Sequence, residues 1–233
     1  MQKTKEKIHV YSSGATAPPL KRAAKVFSDK FGVEFEFTIG RAEELVRKIL
    51  KTEHGDILQC GAEFLLDDAE WKGLIIKGSR RSVGLRRSVI IVQKGNPKDI
   101  KSLEDLMREG MRVGISISGC LVGVWDDICS KAGITRGLLK NITNLADGCG
   151  DVMALIHRRK VDAIFGWNVF EHIWPKTSEA IEFPRELQVF RSTGIGILKY
   201  SDHRQLASRF LDFLVSEEGK RIYKDYGWVY GSG

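Results

Sequence analysis

The sequence predicts an α/β protein of two lobes, each a mixed, mostly parallel sheet flanked by helices. Strand-like and helix-like segments alternate three times within the first 71 residues, as in parallel strands joined by helical crossovers. The pattern returns after residue 112, although the sequence itself does not repeat. Between the two halves, Arg86 and Arg87 interrupt an apolar stretch over residues 83–93, and we expect a lobe boundary near residues 84–90.

The first half is predicted to hold three strands, each followed by a helix. The strands cover residues 8–11, 33–39 and 56–59, and the helices cover 15–31, the segment after 42, and 62–71. In such sheets, ligands bind outside the carboxyl ends of the strands. Four residues follow these strands and are expected to share one edge of the sheet: Ser12, Ser13, Arg41 and Cys60.

The second half is predicted to repeat this architecture. We expect a short capped helix at 102–106, a strand at 112–117, a helix at 119–132, a connection through Gly148, a helix at 149–158 and a strand at 161–165. Extended segments at 187–190 and 194–198 then lead back to the first lobe. Two amphipathic helices, at about 203–215 and 217–226, close the chain and are expected to pack across a lobe.

The segment from Val113 to Asp127 has the outline of an anion-binding loop. An apolar run ends in Ser118 and Gly119, and a helical pattern starts directly afterwards. The first turn of a helix presents unsatisfied N–H groups, which favour a negative ligand together with the helix dipole. Ser118 could donate its hydroxyl to that ligand. Alternatively, Ser118 and Gly119 are only an N-cap and a turn.

Composition and motifs exclude several classes of function. The formal charge of the 233 residues is +7, but no long basic block is present, so we expect no nucleic-acid partner. The five histidines are scattered, without a nucleophile motif, and the four cysteines lack zinc-type spacing. We therefore predict no enzyme activity, no metal and no cofactor. The polar start lacks the apolar core of a secretory signal, which indicates an intracellular protein or a trimmed mature end.

Four segments in this order carry a family resemblance. They are residues 85–106 from Leu85-Arg86-Arg87, residues 119–128 with Gly123-Val124-Trp125-Asp126-Asp127, residues 161–167 ending in Gly166-Trp167, and residues 210–228 from Phe210-Leu211-Asp212 to Tyr226-Gly227-Trp228. Over nearly the whole chain, this series resembles extracytoplasmic solute-binding proteins of ABC importers. The similarity is to the molybdate/tungstate-binding group and its accessory colonisation factor relatives, which have the type II periplasmic-binding-protein fold.

The resemblance implies a two-lobed receptor that closes on a small anion and delivers it to an ABC permease. It places lobe 1 at 8–84 plus 194–233 and lobe 2 at 88–190, with hinges near 84–90 and 190–196. It implies that the cleft holds a small oxyanion of the molybdate, tungstate or sulfate type. It also implies a monomer outside the cytoplasm, periplasmic or membrane-anchored, whose signal segment is absent from this chain.

The same resemblance assigns ligand contacts to three places. These are a hydroxyl of Ser12 or Ser13, the loop from Ser118 to Gly123, and Arg86 at the crossover. Arg87 could take the place of Arg86 if the strand register shifts by one residue, because adjacent strand residues face opposite sides.

Two positions depart from the molybdate binders. Gly40-Arg41-Ala42 stands where they carry a Ser-Gly pair, and Trp167 stands where they carry a tyrosine. An added guanidinium offers a bidentate fork, which favours a carboxylate or phosphorylated acid, such as citrate or phosphoglycerate. Trp167 could cover the ligand or pack in the core. An intracellular anion-sensing domain on the same fold is the remaining alternative.

Three cysteines are predicted near strand-to-helix junctions: Cys60, Cys120 and Cys149. They could line the site, and Cys120 could form a disulfide with Cys149 within lobe 2. A helix N-terminus lowers a thiol pKa, which would allow redox chemistry or contact with a soft ligand. The other interpretation is that all three are buried structural thiols.

Overall fold

The computed structural model describes residues 6–231 and divides into two compact units. Unit 1 comprises the chain up to Leu85 together with the chain from Ser192 onwards, and unit 2 comprises Arg86–Arg191. The chain passes from unit 1 to unit 2 within strand β4 (Arg81–Gln93) and returns within strand β9 (Phe190–Ile197). Within the described residues, no helix is both long and apolar enough to cross a membrane.

Unit 1 begins with three parallel strands, each followed by a helix. The strands are β1 (Lys7–Ser13), β2 (Glu34–Gly40) and β3 (Ile57–Cys60), and the helices are α1 (Ala17–Phe31), α2 (Ala42–Thr52) and α3 (Glu63–Trp71). β2 and β3 pair in parallel with β1 on either side, and β9 pairs antiparallel with β3. Ser13 lies opposite Gly40, and Ser12 lies opposite Gln59. The expected shared edge at the ends of these three strands is therefore present.

Two closing helices, α8 (Arg204–Val215) and α9 (Glu217–Asp225), belong to the core of unit 1. The buried ring of Phe210 lies 5.2 Å from the ring of Phe27 on α1 and 4.6 Å from that of Phe35 on β2. The apolar face of α8 thus joins α1 to the sheet. This confirms that the amphipathic tail helices pack against the lobe.

Unit 2 contains a second mixed sheet, which includes β4. Its further elements are β5 (Val113–Ser116), α4 (Val124–Lys131), α5 (Thr135–Leu139), β6 (Ile142–Ala146), α6 (Cys149–His157), β7 (Ala163–Trp167), α7 (Val169–Ile173) and β8 (Ser178–Ile181). β5 pairs in parallel with β6 and β7, whereas β4 pairs antiparallel with β7 and β8.

The structure corrects several sequence predictions in unit 2. Residues 119–121 form a single 3-10 turn, and the helix predicted from residue 119 begins only at Val124, after Gly123 adopts a φ of 73°. The connection before Gly148 contains β6, a strand at the edge of the sheet. Its polar residues obscure the alternation of apolar and polar side chains that would identify a strand in the sequence. β8 and α7 were not predicted. The segment expected to be extended at 187–190 starts within a 3-10 turn over Arg185–Leu187.

We expect Phe210→Ala to lower the free energy of unfolding by about 3–5 kcal/mol, because a large side chain leaves a cavity in a packed core. Phe31→Ala is the matched control, since its side chain is 48% exposed and its removal should cost less than about 1 kcal/mol. Urea denaturation followed by circular dichroism measures both. Equal losses in the two variants would show that α8 does not hold the core of unit 1.

Candidate functional site

The most unusual feature of unit 2 is a fully buried arginine surrounded by aromatic and sulfur groups. Arg86 lies on β4, and its guanidinium carbon is 4.9 Å from the centre of the Trp167 ring. Its Nη1 donates to the Sγ of Cys120 over 3.6 Å. A guanidinium is costly to remove from water unless negative charge or π-electron density stabilises it. Both are present at this position.

The structure distinguishes Arg86 from its neighbour Arg87. Successive strand residues face opposite sides, so Arg87 points away from the cluster and pairs with Glu182 over 2.5 Å at the surface. The backbone N–H of Arg87 donates to the Asn168 side chain over 3.0 Å, which anchors β4 beside the end of β7. Arg86 is therefore the arginine that joins the buried cluster of unit 2.

Cys120 and Cys149 meet beside Arg86. Their Sγ atoms are 2.9 Å apart, and the indole N–H of Trp167 donates to the Sγ of Cys120 over 3.2 Å. The hydrogen bond from the Cys149 thiol is the largest cause that lowers the pKa of Cys120, and the positive charge of Arg86 and the Trp167 N–H add to it against the effect of burial. The pKa of Cys149 is raised by the same hydrogen bond, by burial and by the negative charge on Cys120. These opposite pKa directions favour loss of the proton from Cys120 before Cys149.

A second arginine, Arg191, lies in the same unit at the start of β9. Its Nη2 donates to the carbonyl oxygen of Val122 over 2.9 Å. Partial burial lowers the pKa of Arg191, the charges of Cys120 and Asp127 raise it, and the charge of Arg86 lowers it. Arg191 was not singled out in the sequence. The available signal was its place in the segment that returns to lobe 1, which mirrors the place of Arg86 in the outgoing strand.

The loop after β5 differs from the predicted helix N-terminus. Ser118 does not cap a helix; its hydroxyl hydrogen-bonds to the Asp147 carboxylate, and Gly119 has a φ of 64°. Helix α4 starts five residues after Gly119 and carries Asp126 and Asp127 in its first turn, so its dipole is already balanced by acidic side chains. The expectation that a helix begins directly after Ser118 and Gly119 was wrong, because Gly123 adopts a left-handed conformation and the helix starts only at Val124.

The loop is instead held by side-chain contacts to the start of α6. The Ser116 hydroxyl donates to the carbonyl oxygen of Ser118 over 3.1 Å and accepts the N–H of Gly148 over 3.1 Å. Gly148 is the residue before Cys149, the first residue of α6, and its φ is 90°. These contacts bring the turn over 119–121 against the start of α6, and they explain how Cys120 reaches Cys149.

In unit 1, the two candidate serines have different environments. Ser12 is fully buried, and its hydroxyl donates to the Gln59 Oε1 atom over 2.9 Å. Gln59 in turn donates through Nε2 to the hydroxyl of Tyr223 over 2.7 Å, and burial raises the pKa of Tyr223. Ser13 is half-buried, precedes a 3-10 turn and does not cap it with its hydroxyl. Ser12 thus belongs to an internal polar network, and Ser13 is the more accessible serine.

The remaining predicted residues of unit 1 are placed differently. Arg41 is exposed at the N-cap position of α2, directly after β2. Cys60 is fully buried in a hydrophobic cluster that includes Tyr11, Leu45 and Leu58. That environment is typical of a packing residue, because a thiol among apolar side chains behaves as a small hydrophobic group. Among the described residues, no three His, Cys, Asp or Glu side chains converge in a way that could hold a metal ion.

We expect reduced protein to show the ultraviolet absorbance of one thiolate at neutral pH. Cys120→Ser should remove it, and Cys149→Ala should move its midpoint to higher pH, because the S–H donor is lost. Because its pKa is lowered in the folded protein, the Cys120 thiolate raises the free energy of unfolding. This contribution is fully present above the unfolded thiol pKa of about 8.5, and it disappears as the pH falls through the pKa of Cys120 in the folded protein.

Cys129→Ala is the matched control for that titration. Burial raises the pKa of Cys129 to about 12, so its removal should leave the neutral-pH absorbance unchanged. If the wild-type protein shows no thiolate absorbance at neutral pH, below the ordinary pKa of a thiol, the charge assigned to Cys120 is wrong.

Several proteins of known function are similar to this chain in sequence. The molybdate-binding protein ModA of Mycobacterium tuberculosis is 23% identical over 199 residues, which cover 85% of this chain and 74% of that protein. A sulfate-binding protein of Synechococcus elongatus is 21% identical, with 90% of this chain and 67% of that protein covered.

Solved structures show the same fold. PEB3 of Campylobacter jejuni, in its L-phospholactate-bound structure, superposes with a TM-score of 0.84 at 25% identity, covering 96% of this chain and 100% of that chain. The periplasmic molybdate-binding protein of Azotobacter vinelandii has a TM-score of 0.80 at 14% identity, covering 97% and 100%. These similarities confirm the predicted type II periplasmic-binding-protein fold, as well as the family resemblance inferred from the sequence.

The family model for bacterial extracellular solute-binding proteins matches residues 8–229, which is almost the whole chain. This family consists of binding proteins and not of enzymes, so the prediction that the chain is not an enzyme is confirmed. The chain belongs to the family of bacterial extracellular solute-binding proteins.

Proposed function

We propose that this protein binds a small oxyanion outside the cytoplasm and delivers it to an ABC permease. The observation that carries the proposal is the fully buried charge of Arg86, in a chain that belongs to a solute-binding family. Such a charge attracts an anion far more strongly than a solvated one, because little water screens it. Capture between two lobes and a monomeric state remain predictions from the family resemblance.

The charges of the unit 2 cluster favour an anionic ligand. Arg86 and Arg191 influence each other electrostatically, and the Cys120 thiolate compensates for one positive charge. Each guanidinium also presents a planar fork of donors that matches carboxylate and phosphate oxygens.

In unit 1, the accessible candidates are Ser13 and Arg41. Ser13 ends β1 and Arg41 follows β2, so both lie at the carboxyl edge of parallel strands, where ligands of such sheets bind. We assign the ligand-facing hydroxyl to Ser13, because the hydroxyl of Ser12 already donates to Gln59. Ser118 and Gly119 remain candidates in unit 2, and we expect them to contribute backbone and hydroxyl donors.

A phosphorylated carboxylic acid is the second candidate for the ligand. It is favoured by two arginines in one cluster, since a molybdate site of neutral donors does not need them. The PEB3 structure, at 25% identity, was solved with L-phospholactate, which carries both a phosphate and a carboxylate. A ligand with two anionic groups would satisfy more of the positive charge than an inorganic oxyanion.

We expect at least one of molybdate, tungstate, sulfate, phosphate, citrate, phosphoglycerate and L-phospholactate to raise the melting temperature of ligand-free protein. A ligand bound only by the folded state at 100 times its Kd stabilises that state by about 2.7 kcal/mol. Differential scanning fluorimetry identifies the anion, and isothermal titration calorimetry then gives its Kd. Absence of any response across the panel, from protein shown to be ligand-free, would contradict the proposal.

Arg86→Gln should weaken binding of the identified anion by about 10- to 100-fold, because a charge-assisted hydrogen bond is lost. Arg87→Gln is the matched control on the same strand, since Arg87 pairs with Glu182 at the surface and should leave the Kd unchanged. Circular dichroism checks that both variants fold. Equal affinity of the folded Arg86 variant and wild type would remove Arg86 from the binding site.

A further inference from the structure

We propose that Cys120 and Cys149 form a reversible disulfide that increases the affinity of the protein for its anion. This regulation rests on the proposed function, because it acts on Arg86, the residue assigned to anion binding. In the reduced form, Cys120 acts as an internal anion beside Arg86. Oxidation removes that negative charge and leaves the guanidinium charge to the ligand.

The two cysteines are positioned for a disulfide by the loops that carry them. Their Sγ atoms are already 2.9 Å apart, and a disulfide requires about 2.05 Å. The preceding residues are also close, since a Cβ atom added to Gly119 would lie 3.7 Å from the Cα atom of Gly148. The hydrogen bond from the Gly148 N–H to the Ser116 hydroxyl holds the start of α6 in place. Only a small movement of the sulfur atoms is therefore needed.

The contacts of Cys120 connect the disulfide to the anion site. Its Sγ accepts from the Nη1 atom of Arg86 over 3.6 Å and from the indole N–H of Trp167 over 3.2 Å. A thiolate in this position competes with any external anion for the same donors. A disulfide sulfur carries no charge and is a weak acceptor, so both donors become available to a ligand.

Thiol–disulfide exchange with a small-molecule disulfide, RS–SR, supplies the oxidant. Cys149 is the less buried residue of the pair, and it can pass its proton to Cys120 through their hydrogen bond. The Cys149 thiolate attacks one sulfur of RS–SR and expels RS⁻. The Cys120 thiol then loses its proton to that RS⁻ and attacks the Sγ of Cys149, which expels the second RS⁻. The two protein sulfurs are oxidised, and RS–SR is reduced to RSH and RS⁻.

The test uses L-phospholactate and molybdate as probes of the full chain in two redox states. The protein is treated with dithiothreitol or with oxidised glutathione, and the reagent is removed by gel filtration before calorimetry. Peptide mapping should show a Cys120–Cys149 disulfide, with a mass lower by two hydrogen atoms, only after oxidation. We expect the oxidised protein to bind at least one probe about tenfold more tightly or better, as one charged competitor is removed.

Two variants separate the regulation from the binding itself. Cys120→Ser has no thiolate, so its affinity should be close to that of the oxidised protein and should not respond to dithiothreitol. Cys129→Ala, which removes a buried cysteine outside the pair, should keep the full redox response. Loss of the response in both variants would contradict the assignment to this pair.

The outcomes also distinguish the two proposals. If the anion binds equally well to both redox states, the regulation is wrong and the proposed function stands. If no disulfide forms under oxidised glutathione, the modification site is wrong while anion binding is unaffected. If neither state binds any anion of the wider panel although the disulfide forms, the proposed function fails and the disulfide has no effect on transport.

Discussion

A guanidinium that is fully buried in unit 2 is the constraint on which the surrounding loops depend. Burying a charge is costly, and the face of Trp167 and the sulfur of Cys120 stabilise the buried charge of Arg86. Each partner comes from a different element: the end of β7, the turn after β5, and, through Cys149, the start of α6. One side chain thus ties together the carboxyl end of the sheet.

The same cluster indicates why this site differs from one built of neutral donors. Backbone amides and hydroxyls bind an anion without charge, whereas Arg86 and Arg191 contribute positive charge, and the lowered pKa of Cys120 favours a thiolate that offsets part of it. The net charge of the cluster depends on the protonation and oxidation of two sulfurs. If Arg86 binds the anion as proposed, anion affinity and thiol chemistry are linked, because Cys120 contacts the same guanidinium group.

Much of the fold was readable from the sequence because its signals are local. Strand-to-helix alternation, glycine-containing turns and amphipathic spacing predicted the order of elements in unit 1 and the packing of α8. The elements of unit 2 that were predicted wrongly lack a clear periodic pattern of apolar residues. The edge strand β6 has polar, partly exposed residues, and the Gly119–Leu121 segment continues a helical pattern without forming the helix. Periodicity cannot detect a left-handed glycine at residue 123, which delays the helix to Val124.

By itself, the sequence determined the fold class, the family, and the shared edge that carries Ser12, Ser13, Arg41 and Cys60, since these follow from element order and strand direction. Only the tertiary structure decided which side chains meet. It placed Arg86 inward and Arg87 at the surface. It bonded Ser12 to Gln59, put Cys60 in the core and brought Cys120 to Cys149. It also placed the Arg191 side chain against the Val122 carbonyl oxygen. The reason is that contacts between residues distant in sequence depend on strand register and loop conformation, which local patterns do not encode.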